Sequence, residues 1–279
     1  MDVSEQIDEE FSRVALLPED QIDLARGALV IAKTEYPDLD ESFYLERLNG
    51  MAVRLKNDVK RNQNPGDIIA RMNRLLFDEE DFRGNRENYY EPDNSCLNRV
   101  LERKLGIPIT LSLVYIEVGQ RLGLDLRGIG LPGHFITALY HGAARTFIDP
   151  FNAGELRTVE DCREAVRAHQ GEASAFDPRW LEPIGPKEFL SRMLRNLKRI
   201  YAQKEDYVKA FRMIHWILTL QPTAPAELRE RAMLYEAMGN PVRAAEDWER
   251  YLESAAGVES EATIRARIDD LRKQQSRIH

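Results

Sequence analysis

The chain has 279 residues, a net charge of −8, 31% charged and 43% hydrophobic residues, and two cysteines. That is an ordinary globular composition with enough apolar side chains for one large or two modest cores. Its acidic balance excludes a sequence-independent nucleic-acid binder, which needs a basic footprint, and its few cysteines exclude a disulfide scaffold.

Residues 1–10 are acidic and polar and do not read as a signal peptide. The longest apolar run, Ile109 to Val118, is too short to span a bilayer. A cytoplasmic protein with no membrane association is expected. Residues 4–90 read as helical. Ser4 caps a first helix carrying Phe11 and Val14, and Pro18-Glu19-Asp20 starts a second with Leu24, Ala28, Leu29 and Ala32 at helical spacing. A third runs through Phe43, Leu48, Met51 and Leu55, and a fourth carries Ile68, Ile69, Met72 and Leu76. A polar loop, Asp81 to Tyr90, follows.

Asp93-Asn94-Ser95 supplies cap residues for a short helix expected to end at Gly106. Pro108 then stands where proline is tolerated, in the first turn of a new helix. That helix is apolar on most faces, so it should be the buried central helix. Beyond Gly123 the periodicity turns β-like. Leu126–Ile129, Phe135–Tyr140 and Thr146–Asp149 read as three antiparallel strands behind the helix, an α+β arrangement. A helix from Thr158 to about Gln170 follows. The expected domains are 1–176 (helical 1–105, core 106–176), a linker at 177–189, and 190–279.

The C-terminal third is all-α and repeats itself. Tyr201 recurs as Tyr235 and Ala210 as Ala244 at one shared offset, the tetratricopeptide period of about 34 residues. The alanine permits close helix crossing, the tyrosine packs into it, and Gly239 makes the turn of the second copy. Residues 261–275 read as a capping helix.

The sharpest chemical feature is Leu131-Pro132-Gly133-His134-Phe135 followed by Phe147-Ile148-Asp149-Pro150. A histidine on one strand and an aspartate ending the next can lie side by side, the aspartate fixing the imidazole tautomer. That is two thirds of a nucleophilic triad. The polar loop and its neighbourhood offer binding-cleft candidates: Asn85, Tyr89, Tyr90, Asn94, Ser95, Thr110 and Asn152. No histidine or cysteine pair stands at metal-ligand spacing, and no glycine loop opens a helix as a phosphate site does. Neither metal nor cofactor is expected.

Asn94-Ser95, Leu97-Asn98, Val100-Leu101-Glu102-Arg103, Gly106-Ile107-Pro108-Ile109, Arg121-Leu122-Gly123-Leu124, Pro132-Gly133-His134-Phe135 and Ile148-Asp149-Pro150-Phe151-Asn152-Ala153-Gly154 together resemble the bacterial SirB-type family. The resemblance covers roughly residues 20–272. It implies a transglutaminase-like (papain-like) core with a small antiparallel sheet, joined to tetratricopeptide repeats. In that superfamily the triad order is Cys, His, Asp, with the cysteine opening the central helix, so His134 and Asp149 match the second and third members. Pro108 stands where the resemblance places the thiol. It has no nucleophile and no N–H to serve as an oxyanion donor.

Cys96, twelve residues earlier at the start of the preceding helix, is the remaining candidate nucleophile. Thr110 and Ser112 read as local backbone partners, and Cys162, on a polar helix, as structural. Two functions follow. One is a non-catalytic binding or regulatory protein with a degenerate cleft and a repeat surface for an unidentified protein or peptide. The other is a thiol hydrolase or acyl-transfer enzyme using Cys96, His134 and Asp149.

Overall fold

A computed structural model describes residues 2–61, 64–171, 175–254 and 261–278. The chain divides into two compact units, Met1–Met193 and Leu194–His279.

The first unit opens with α1 (Val3–Ala15), α2 (Leu24–Ala32), α3 (Glu41–Arg61) and α4 (Pro65–Asn73). The second helix starts later than Pro18 suggests. Glu19–Gln21 forms only a 3₁₀ turn, and Asp23 then caps α2 by accepting from the Arg26 N–H. A wide i→i+5 turn, Arg74–Glu79, closes α4. The polar loop contains β1 (Arg83–Gly84), which pairs in parallel with β2 (Leu105–Gly106). Between them lies α5 (Leu97–Arg103), which stops at Lys104 in the left-handed region rather than at Gly106.

α6 (Pro108–Arg121) is buried continuously from Pro108 to Gly119, as its all-round apolar surface demands. Behind it lies an antiparallel sheet in the order β3 (Asp125–Ile129), β4 (Ile136–His141), β5 (Ala144–Asp149), β6 (Glu155–Arg157). The three-strand expectation is corrected here. β6 runs only from Glu155 to Arg157, too short to show alternation. α7 (Val159–Gln170) then covers the sheet, with Cys162 and Val166 packing beside Ile129, Ile136, Ala138 and Phe147.

The stretch 177–189 lies on the sheet of this unit rather than standing free as a linker. Leu181 is buried, the Ile184 N–H donates to the Gly128 carbonyl, and Pro183 bridges Ile129. α8 (Pro186–Gln203) starts in the first unit and continues into the second.

The second unit continues with α9 (Tyr207–Leu220), α10 (Pro225–Ala237), α11 (Pro241–Ser254) and α12 (Glu261–Ile278). Tyr201, Ala210, Tyr235 and Ala244 are all buried, as the repeat requires. The two hairpin turns correspond residue by residue at the same offset. Asp206 N–H donates to the Tyr201 carbonyl (2.9 Å), and Asn240 N–H to the Tyr235 carbonyl (2.8 Å). Asp206 and Asn240 then cap the next helix by accepting from Lys209 and Arg243 N–H. Glu205 (φ 60°) occupies the left-handed position that Gly239 (φ 69°) fills in the second copy. A bidentate ion pair, Arg231 to Asp247 at 2.7 Å on both oxygens, ties α10 to α11.

Glutamate carries a Cβ penalty in the left-handed region of about 1–2 kcal/mol, which glycine escapes at some entropic cost. Glu205→Gly is therefore expected to stabilise the protein by roughly 0.5–1 kcal/mol. A denaturation midpoint unchanged or lowered relative to the parent would contradict this.

Candidate functional site

His134 lies in the turn between β3 and β4, just before the strand rather than on it. Its N–H donates to the Leu131 carbonyl, and Arg192 holds the same turn by donating to the carbonyls of Gly130 (2.8 Å) and Leu131 (3.2 Å). Asp149 ends β5. The two meet: Nε2 of His134 stands 2.8 Å from Oδ2 of Asp149.

Asp149 is 1% exposed and gathers four donors. Besides His134, Oδ2 accepts from Asn152 (2.8 Å) and Arg157 (3.3 Å), while Oδ1 accepts the Phe151 N–H (3.2 Å). Burial alone would push its carboxyl up. The hydrogen bonds and charges of His134, Asn152 and Arg157 outweigh that and hold it below the usual carboxylate range. With Nε2 committed to Asp149, Nδ1 of His134 has no protein hydrogen-bond partner among the described residues.

The pair opens onto a cleft of about 570 Å³, also lined by Arg86, Phe151, Asn152, Arg157, Cys162 and His169. The Phe151 ring fills the space over Gly84, 2.6 Å from where a Cβ would stand, and meets His134 edge-on at 6.2 Å between centroids. Gly84 pairs with Gly106, which leads directly into the start of α6 at Pro108. Phe151 thus joins the imidazole to the strip leading to the α6 N-terminus. Arg86 lies over the same ring, 5.0 Å from its centroid, and donates to Asn152.

Of the other sequence-derived candidates, Asn152 lines the cleft and Tyr89 touches it through Phe151, at 6.4 Å between ring centroids. Tyr90 packs edge-on against Tyr89 and is exposed. Asn85, Asn94, Ser95 and Thr110 are interior and do not line the cleft. The polarity of Asn85, Asn94 and Thr110 ties the loop together. Asn85 donates to Asn94 (3.1 Å), Asn94 to the Asn88 carbonyl (2.7 Å), and Thr110 to the Asn94 carbonyl (2.7 Å) while accepting the Ile107 N–H.

Pro108 occupies the first position of α6. Cys96 is fully buried, neighbours Tyr36, and is not among the cleft residues. The thiol that does line the cleft is Cys162, on α7. It is 2% exposed, and burial, with the charges of Asp161 and Asp149, pushes it up to about 11. Arg86, Arg157, Cys162 and His169 escape sequence reasoning as cleft residues. The available signal is Cys162 and Val166 at i and i+4, the apolar side of an otherwise polar helix. Among the described residues no cluster of three or more His, Cys, Asp or Glu could hold a metal.

A buried central helix, an antiparallel sheet and a His-Asp pair between strand ends define a transglutaminase-like core. Residues 42–195 match the transglutaminase-like superfamily, and residues 197–273 match a tetratricopeptide repeat. The chain belongs, within that class, to the UPF0162 family. It is 34% identical over 272 residues to a UPF0162 protein of Xylella fastidiosa, covering 96% of this chain and 97% of the relative. It is 27% identical over 257 residues to one from Vibrio cholerae, covering 90% and 93%. Human F-box only protein 21 is 28% identical over 184 residues, covering 62% of this chain and 28% of that protein. No solved structure matches the chain. Among the described residues no helix is long and apolar enough to cross a membrane.

Proposed function

We propose that the His134 cleft binds a ligand or peptide segment without turning it over, and that the repeat unit supplies a second surface for a protein partner. The observation that carries this is the state of the sulfur. Burial pushes the Cys162 thiol that lines the cleft up to about 11, Cys96 is buried outside the cleft, and the α6 N-terminus offers proline. A nucleophilic thiol needs a depressed pKa or an adjacent base. The unpartnered Nδ1 of His134 and the guanidinium of Arg86 then serve as recognition groups. The motif set from Asn94 to Gly154 supports grouping the chain with SirB-type proteins, and a cytoplasmic location accords with its cysteine usage.

Iodoacetamide labelling of the full chain across pH tests the reading. Native Cys162 is expected to react only as pH climbs toward about 11, and Cys96 only on unfolding. An alkylation step well below the free-cysteine value of about 8.5, or an acyl adduct trapped on either cysteine from a thioester substrate, would overturn it.

A further inference from the structure

A separate pocket of about 330 Å³ lies where the turn after α2 meets α3 and α5. It is lined by Tyr36, Asp38, Tyr44, Asn98, Arg99 and Glu102, with Glu35 beside them. That volume is at the small end of ligand sites.

The donors here are already engaged. The Tyr36 hydroxyl donates to Asp93 and the Tyr44 hydroxyl to Glu102. Burial, then those neighbouring carboxylates, push both phenols up and keep their protons in place. Arg99 is the one cation among the lining residues, and it is neutralised. Its Nε donates to Asp93 and a terminal nitrogen to Glu102.

The acceptors are not all engaged. Asn98 is 2% exposed, and its Oδ1 has no hydrogen-bond partner among the described residues. An unpaired carbonyl oxygen at that depth is costly, and buried polar groups of this kind are normally satisfied. Asp38, exposed at the pocket, makes no ion pair among the described residues. The lining carboxylates Glu35, Asp38 and Glu102 outnumber its one cation, Arg99, which lies over the Tyr36 ring, and Tyr44 adds an aromatic wall of the sort that favours cations.

We infer that this pocket binds a small alkylammonium cation, a diamine or polyamine end, whose N–H groups satisfy Asn98 Oδ1 while its charge faces Asp38. The inference is independent of what the His134 cleft does.

The test is calorimetric titration of the full chain with three probes of equal chain length: putrescine, 1,4-butanediol and succinate. Putrescine is expected to bind at least tenfold more tightly than butanediol, which offers donors without charge, and succinate not at all. Asp38→Asn, at an exposed position that should not affect folding, is expected to weaken putrescine about fivefold, the scale of one solvent-exposed charge contact. Asn98→Leu is expected to abolish binding; if that variant does not fold, the Asp38→Asn result decides. Equal binding of butanediol, any preference for succinate, putrescine binding unchanged by Asp38→Asn, or no putrescine binding at millimolar concentration would each overturn the assignment.

Discussion

Asp149→Ala is expected to destabilise the protein by about 3–5 kcal/mol, the range for breaking a buried ionic network on one side. The carboxylate is 1% exposed and accepts from His134, Asn152, Arg157 and the Phe151 N–H. Its loss leaves those donors without their acceptor in a protein interior. His134→Ala should cost only about 1 kcal/mol, since three donors still satisfy the carboxylate and the imidazole is partly exposed. If the two losses were equal in denaturant titrations, Asp149 would not be the node of this network.

The same group predicts a pH dependence with a definite sign. Its folded pKa lies below the unfolded value. Its contribution is therefore fully present above the unfolded carboxylate pKa, about 3.9, and is lost as pH falls through the lower folded value. The stability gap between the parent and Asp149→Asn should hold from neutral pH to about 4 and close below it. A gap that widened on acidification would contradict the assignment.

Gly154→Ala should also be severely destabilising, by about 3 kcal/mol or more, from two sources that add. The first is the backbone, since φ at this residue is 72°. That left-handed conformation strains an L side chain by about 1–2 kcal/mol. The second is space: an added Cβ would stand 2.1 Å from Oδ1 of Asn73. Overpacking of this kind costs a further ~1–3 kcal/mol. Asn73 has little room to retreat. Its Nδ2 donates to the Gly154 carbonyl at 2.8 Å, and its Oδ1 accepts from Tyr115, a side chain buried on α6, at 3.0 Å. Gly142→Ala is the control. Its φ is 60°, but the space around the missing Cβ is open. Only the backbone penalty of about 1–2 kcal/mol then applies. Comparable thermal shifts for the two variants would show that Asn73 yields.

The parts of this fold that can be read in advance are those with a long or repeated signal. α6 is apolar on nearly every face, so its burial follows from composition. The hairpins of the second unit announce themselves through Tyr201, Tyr235, Ala210 and Ala244. β6, Glu155–Arg157, and the short pairing of Arg83–Gly84 with Leu105–Gly106 carry no period to detect.

The site divides the same way. His134 and Asp149 sit in glycine- and proline-marked turns at strand ends, and that punctuation makes their pairing legible. Asn85, Asn94 and Thr110 read as cleft residues because a polar side chain in a loop looks alike whether it meets solvent or ties the backbone. Arg86 and His169 reach the cleft from elements far from His134 in sequence, a proximity that only the assembled sheet creates. Cys162 reads as an interior residue of a polar helix, but that interior borders the cleft.

The matching hairpin turns of the second unit have a consequence for how such chains lengthen. Glu205 and Gly239 make the same left-handed turn, and Asp206 and Asn240 follow it, close it and cap the next helix. A tandem copy of residues 206–239 would join Gly239 to a new Asp206 and rebuild that turn at the junction. The insertion would add one helical hairpin, a second α9 and α10, in phase, while leaving α11 and α12 packed on each other as before. The unit is thereby a cassette, whose number of helices can change by duplication without a new linker having to be invented.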